Sequence, residues 1–312
     1  KLRHCRFDGI AAALQLSVEE VLVQWIKNCI NKTKIKNVII VGGVAQNIKA
    51  DKVLAELDCI DEIFICPAAG DTSLPIGACY RVMHEFIKAE GVDVACLQPL
   101  ETTYLGPDFD DDEVTKAIEQ AGLNDDYIIQ ESVSAENVAD HLVSGKIIAR
   151  SSGRMEFGLR SLGNRSILAD PRSAKTIQRI NDQIKFRDFW MPFTPTIMAH
   201  RETDYIINPK GLAAPFMTMA FSSTTKASVD LQAALHPADL TARPQLLRRQ
   251  DNPEYFDIIK AFDERTGVGA LLNTSFNLHG NPIALGPKEA LYTLQNSKLD
   301  GLLLNKSLIL RK

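Results

Sequence analysis

Between Lys146 and Arg187 the chain carries ten lysines and arginines against three acids, a one-signed segment inside a protein of net charge −4. Solvated helix faces usually mix signs, so an unbalanced stretch rich in Gly and Ser has the composition of an anion site. Its first part reads Gly153-Arg154-Met155-Glu156-Phe157-Gly158-Leu159-Arg160-Ser161-Leu162-Gly163-Asn164-Arg165-Ser166-Ile167-Leu168. Arg154, Arg160 and Arg165 bring forked donors suited to phosphate or carboxylate oxygens. Ser166 adds a hydroxyl, and the glycines let a ligand come close to the backbone. The alternative is a solvated basic loop whose glycines merely turn. As chemistry the segment names an oxyanion and no reaction.

Three further constellations accompany it. Lys185-Phe186-Arg187 leads into Asp188-Phe189-Trp190-Met191-Pro192-Phe193. A Lys and an Arg two apart on an extended segment point to one side, which makes Lys185 and Arg187 candidates for phosphate contacts. Trp190 and Phe193 are expected in the core. At Leu271 to Asn277 an apolar strand runs into Asn273, Thr274, Ser275 and Asn277, small polar groups at the carboxyl end of a strand, where open α/β sheets place ligands. The alternative there is a turn in which Asn and Ser satisfy their own backbone. Gly42-Gly43-Val44-Ala45-Gln46-Asn47 and Gly70-Asp71-Thr72-Ser73 are glycine turns between a strand and a helix, so that Gly43 and Asn47 stand near a helix N-terminus able to bind an anion. Asp71 is either an N-cap for a helix starting near Ser73 or a metal ligand.

The elements that must position these groups follow from periodicity. Apolar spacing predicts helices over 8–30, 46–57, 73–89, 112–121, 135–144, 254–265 and 287–294. Strands are expected at 38–41, 62–66, 146–150, 196–198, 216–221, 268–272 and 301–304. The first ninety residues read β-loop-α-β-loop-α, the grammar of a layered α/β domain, but with only two strands. A stretch rich in Pro, Gly and acids around Thr103-Tyr104-Leu105-Gly106-Pro107 marks a boundary. The expected organisation is a first domain at 1–95, a linker at 96–112 and a mixed α/β domain at 113–312.

At 45% hydrophobic and 24% charged residues the composition is that of a globular chain. Net negative charge argues against a general nucleic-acid binder. No unbroken apolar run approaches the roughly 20 residues that cross a bilayer. The basic start Lys1 to Arg6 lacks the apolar core of a signal peptide. The chain opens without Met almost directly into a helix, which predicts a natural protein beginning upstream. Six cysteines (Cys5, Cys29, Cys59, Cys66, Cys79, Cys96) include no CxxC pair; buried free thiols in a reducing cytoplasm are expected.

Taken together, these motifs resemble the O-carbamoyltransferases of antibiotic tailoring and nodulation-factor synthesis. Gly42 to Asn47 and Pro67 to Gly77 look like the second half of that family's ATPase-like domain, and Tyr104 to Pro107 like its linker. Gly153 to Arg172, Lys185 to Pro195 and Leu271 to Pro282 look like its C-terminal signatures. The resemblance implies the C-terminal part of an ASKHA-type domain followed by a YrdC-like domain. In the related synthases a Lys-x-Arg pair and a Ser-x-Asn element grip phosphates, and Lys185-Phe186-Arg187 and Ser275-Phe276-Asn277 match them. The resemblance further implies that ATP and carbamoyl phosphate yield carbamoyl adenylate in the second domain. The carbamoyl group then passes to a hydroxyl of a small sugar or natural product in the first domain, near a bound iron.

Two departures stand out. The family's iron site needs a His-x-x-x-His pair and an Asp; Asp71 matches the Asp, but the histidines at 4, 84, 141, 200, 236 and 279 form no such pair. The iron is therefore expected only with ligands from an upstream half. The family's His-Val-Asp-Gly-Thr-x-Arg stretch appears as His236-Pro237-Ala238-Asp239-Leu240-Thr241-Ala242-Arg243, one residue longer and without the Gly, with His236 and Arg243 as its site residues. Competing readings are an enzyme sharing the adenylate step but acting on tRNA or a protein cysteine, and a non-catalytic nucleotide-binding module. Neither nucleic acid nor a membrane is expected as a partner, and a homodimer is left open.

Overall fold

The residues described by a computed structural model are 6–123, 125–188 and 190–312; His4, Cys5 and Phe189 lie outside them. The chain divides into two compact units, one formed up to Pro99 with Pro209–Leu212 and Thr218–Ala220, the other by Leu100–Asn208, Ala213–Met217 and Phe221–Lys312.

In the first unit α1 (Phe7–Thr33) precedes β1 (Asn37–Ile40), α2 (Ile48–Ala55), β2 (Glu62–Ile65) and α3 (Leu74–Ala89). The two strands pair in parallel, Asn37 against Glu62 through Ile40 against Ile65. Asn47 caps α2 by accepting from the Ala50 N–H at 3.1 Å. Its amide also exchanges hydrogen bonds with Gln15 of α1. Only Ile30 of α1 is buried, while Phe7, Leu14, Val21 and Trp25 are more than half exposed. Among the described residues α1 is the one helix long and apolar enough to cross a membrane. Polar residues interrupt its sequence, so it contains no unbroken apolar run of such length. Lys210 returns to this unit and donates to the Leu57 and Ile60 carbonyls at 2.6 and 2.8 Å.

The second unit adds α4 (Asp111–Gln120), β3 (Tyr127–Gln130), α5 (Ala135–Val143), β4 (Ile148–Ser151), β5 (Arg165–Ala169), α6 (Lys175–Ile180), β6 (Thr194–Met198), α7 (Glu202–Tyr205), β7 (Ile206–Ile207), β8 (Ser222–Ser223), α8 (Thr225–Asp230), β9 (Gln245–Leu247), α9 (Pro253–Thr266), β10 (Ala270–Ser275), α10 (Pro287–Gln295), β11 (Gly301–Leu304) and β12 (Ser307–Arg311). Eight strands form one sheet in the order β3-β12-β11-β4-β5-β10-β6-β9. The β11–β4 and β6–β9 pairs are parallel and the others antiparallel. One face of the sheet packs Ala149, Ile167, Leu272, Leu302 and Ile309 against Val114 and Ala117 of α4 and Ala290, Leu291 and Leu294 of α10. Cross-strand register puts Arg150, Ser166, Thr196, Gln245, Asn273 and Ser275 on the opposite face. A sheet that is apolar on one side and polar but buried on the other needs partners for every polar group, and this is where the site forms.

The expected strand at 216–221 does not form. Met217 has φ 55°, and only an isolated bridge joins Phe221 to Ala242. Conversely β5, inside the stretch read as a loop, is a fully buried strand. Trp190 is 54% exposed rather than core, while Phe193 is buried. Of the described cysteines none is buried; Cys29, Cys79 and Cys96 are exposed and Cys59 and Cys66 intermediate, all free.

Gly163 shows why one glycine of the basic segment is there. At φ 115° an added Cβ would lie 2.3 Å from Cδ1 of the Tyr255 ring, so the close approach is to α9 and not to a ligand. Gly163→Ala combines backbone strain with a clash in a packed interior. It is expected to cost on the order of 2–4 kcal/mol, measured as a lower urea midpoint with unchanged m-value.

Candidate functional site

The site is built around Lys185. Helix α6 continues into a π-helical turn, Asn181–Lys185, and Phe186 then takes the left-handed conformation at φ 46°. The Lys-x-Arg pair is therefore not on an extended segment, as its spacing suggested. Lys185 is 1% exposed. Its Nζ donates to Asn277 Oδ1 at 2.8 Å and Ser275 Oγ at 3.1 Å, with the Asn277 carbonyl at 3.4 Å. Burial first, and the neighbouring Arg187 second, push its pKa down to about 7.

Three arginines form a linked cationic group with it, Arg187 acting on Lys185 and on both Arg160 and Arg243. Arg187 is half-buried with its guanidinium 5.4 Å from the Phe193 ring centroid, and burial lowers its pKa. Arg160 is lowered by burial and by Arg187. Arg243 is pushed down to about 9, by burial and then by Arg160 and Arg187. Among the described residues none of these four cations has a carboxylate partner. Elsewhere in this unit cations are paired, as Arg172 with Asp170 and Arg201 with Asp204 and Asp263. Gathering four unpaired, mutually repelling cations against burial costs stability, and an incoming polyanion relieves that cost.

Arg160 reaches the cluster because of Glu156. This buried carboxylate accepts from the backbone N–H groups of Leu162, Asn164 and Arg165 at 2.7, 2.8 and 3.2 Å, folding the loop whose tip carries Arg160. Arg243 sits between the Phe221–Ala242 bridge and β9. The extra residue in its stretch does not move it away, whereas His236 faces Asp239 in a turn, Nδ1 to Oδ1 3.2 Å.

The other expected ligands stand elsewhere. Arg165 is buried, and its guanidinium donates to the carbonyls of Ser152, Gly153, Asn164 and Leu285. Arg154 donates to the carbonyls of Leu105 and Gly106, tying down the linker. Both spend donors on backbone carbonyls. Ser166 Oγ accepts from the Gly163 N–H at 2.9 Å. Thr274 points to the apolar face, opposite Ser275. Asn273 lies on the polar face, where its amide N–H groups reach the Ser161 carbonyl and Thr196 Oγ1 while its Oδ1 has no partner. In the first unit Asn47 is spent as a helix cap and Gly43 opens a 3-10 turn, Gly43–Gln46. Asp71 begins another such turn, Asp71–Ser73, but its side chain caps neither that turn nor α3. Among the described residues no group of three or more His, Cys, Asp and Glu side chains could hold a metal. The described residues do not by themselves fit an iron site.

Two residues escaped the sequence reading. Glu156 carried one signal, a lone acid among the arginines of its segment. His279 carried none; its Nδ1 lies 2.7 Å from the Lys185 carbonyl.

Comparison with known proteins gives the chain a family. Residues 2–80 match the family unit described as "Carbamoyltransferase N-terminus" and residues 139–311 that described as "Carbamoyltransferase C-terminus". An uncharacterized protein of Methanocaldococcus jannaschii is 34% identical over 98% of this chain and 49% of its own length. Nodulation protein NolO of Bradyrhizobium diazoefficiens is 33% identical over 97% of this chain and 54% of its own. A solved structure of full-length HypF in the phosphate- and nucleotide-bound form aligns with TM-score 0.40 at 18% identity, over 57% of this chain and 22% of that one. The chain spans about half the length of the relatives it matches. With one family unit matching residues 139–311, the cation cluster included, and another matching residues 2–80, this chain is a member of the carbamoyltransferase family.

Proposed function

We propose that this chain carries the adenylate-forming part of an ATP-dependent O-carbamoyltransferase. The observation that carries the reading is the cluster of Arg160, Lys185, Arg187 and Arg243, four cations that among the described residues have no carboxylate partner, with Lys185 held by Ser275 of the central strand β10. Phosphate is released from carbamoyl phosphate by water. A carbamate oxygen then attacks the α-phosphorus of ATP, the bond to the β-phosphate bridging oxygen breaks, and pyrophosphate leaves. The cluster's task is to hold and neutralise the polyphosphate, with donors already oriented for the charge that develops. Buried Lys185 and the arginines linked to it through Arg187 supply that charge where it is worth more than in water.

In this reading residues 1–95 are the C-terminal part of an ASKHA-type domain, 96–112 a linker and 113–312 a YrdC-like domain. The transfer step, from the adenylate to a hydroxyl of a small sugar or natural product, belongs to the first domain, and the enzyme works in the cytoplasm. The family membership supports carbamoyl transfer, and the polar sheet face supports phosphate chemistry in the second unit.

Isothermal calorimetry tests the core of it. ATP should bind the wild-type chain, and Arg160→Ala or Arg243→Ala should weaken it roughly 10- to 100-fold each, the loss of one charge-assisted contact or two. Labelled pyrophosphate should exchange into ATP only when carbamoyl phosphate is supplied. Undiminished affinity in both folded variants would remove the cluster from nucleotide binding.

A further inference from the structure

Lys185 is gripped at both ends by one loop. Ser275 and Asn277 hold its ammonium, and two residues further on His279 reaches its backbone carbonyl, Nδ1 to O 2.7 Å. The same peptide unit is pinned on its other side, because the Phe186 N–H donates to the Asn181 carbonyl at 3.0 Å. Both polar groups of the Lys185–Phe186 peptide are thereby fixed. That peptide governs an unfavourable conformation, since Phe186, a bulky residue, sits at φ 46°. Freed of one anchor, the peptide can rotate, relieve the left-handed residue and carry Arg187 away from Lys185.

We propose that His279 is a positioning residue of the phosphate site, its Nδ1–H locking the turn that presents Lys185 and Arg187 together. The inference rests on reading the cluster as the ATP site. A carbonyl oxygen only accepts, so Nδ1 carries the hydrogen in the neutral and the charged ring alike. Proton exchange is left to Nε2, and the lock does not depend on the ionisation of the imidazole. His279 is exposed, so little packing is lost when it is replaced. The charged groups next to this peptide are Lys185 itself and Arg187, with Asp182 and Asp188 close by in the chain and Arg160 and Arg243 linked to Arg187.

The geometry separates this role from proton transfer. An Asn side chain can place an N–H where Nδ1–H stands, whereas Gln places its amide nearer the position of Nε2. In the full chain, ATP affinity by calorimetry should fall about tenfold in His279→Ala, the worth of one good hydrogen bond. It should return to near wild type in His279→Asn and stay low in His279→Gln. In pyrophosphate exchange the loss should appear in KM for ATP with kcat held, and the pH profiles of wild type and His279→Asn should superimpose. If His279→Ala melts well below wild type, the contrast between Asn and Gln alone decides. Wild-type affinity in His279→Ala, or rescue by Gln and not Asn, overturns the lock while leaving the phosphate site intact. A wild-type chain that does not bind ATP overturns the reading of the site itself.

Discussion

Lys185→Met should weaken ATP binding by roughly 30- to 1000-fold below pH 7, or about 2–4 kcal/mol, the range for removing a buried hydrogen-bonded charge. The substitution leaves Ser275 Oγ donating to Asn277 Oδ1 at 2.7 Å and frees only the long contact to the Asn277 carbonyl at 3.4 Å. Its signature is the pH dependence. Burial and Arg187 set the Lys185 pKa at about 7 in the empty site, so near neutrality the amine is only partly charged. A bound phosphate favours the ammonium and raises that pKa again. Below pH 7 the charge is already present and binding takes up little proton. Above it, each ATP bound should draw up to one proton from solvent, so affinity through this residue falls as pH climbs. The advantage of wild type over Lys185→Met is therefore greatest below pH 7 and shrinks above it. Calorimetry in two buffers of different ionisation enthalpy reads the proton uptake directly, and Lys185→Met should lose it.

The same shift has a consequence for stability with the opposite sign to the usual lysine. The folded pKa is lowered, so between pH 7 and the unfolded value of about 10.5 the unfolded chain binds more protons. Stability of the empty protein should therefore rise with pH across that window, and Lys185→Met should flatten the rise. ATP closes the gap by restoring the native ammonium. An equal pH slope of stability in both proteins means that Lys185 is charged throughout.

Sequence and structure part company in an instructive way. The helices were legible where caps and periodicity agree, as in α9, with Asn252 as cap, Pro253 in its first turn and Gly267 in the left-handed C-cap. Strand β5 was not, since Arg165-Ser166-Ile167-Leu168-Ala169 sets two polar residues before three apolar ones, with no strand alternation, yet is buried on both faces. Its polar residues are satisfied by neighbouring backbone, a fact that lives in the fold and not in the residue types. The basic segment has the composition of an anion site. It could not say which arginines face it, because Arg154, Arg160 and Arg165 differ only in whether a backbone carbonyl lies within reach. Lys185 and Arg187 do stand together, though through a π-turn and a left-handed residue that no alternation rule describes. Arg243 was marked by resemblance alone. Its place was fixed by β9, a three-residue strand too short to carry a periodic signal.

Glu156→Ala should do the greatest damage to fold and site at once. The carboxylate is 6% exposed and accepts three backbone N–H groups through one oxygen. Hydrogen bonds to a charged group contribute more than neutral ones, and three donors orphaned together cannot all find water in a buried turn. The loss also strips the buried Arg165 of a favourable charge, since Glu156 is the largest influence opposing its desolvation. A cost on the order of 3–5 kcal/mol follows from breaking such a buried charged network, a large share of the 5–15 kcal/mol by which domains are stable. Glu156→Gln is the informative partner. It keeps an acceptor for one or two of the three donors and removes the charge, so it should retain a folded chain with a loosened 156–165 loop. In that variant Arg160 loses its fixed approach to Arg187 and Arg243. ATP affinity should then fall toward that of Arg160→Ala, and adding Arg160→Ala to Glu156→Gln should weaken binding little further. Such non-additivity is what one shared path to the phosphates produces. Full additivity in that double-mutant cycle would show that Glu156 holds the loop for stability alone and that Arg160 finds the site without it.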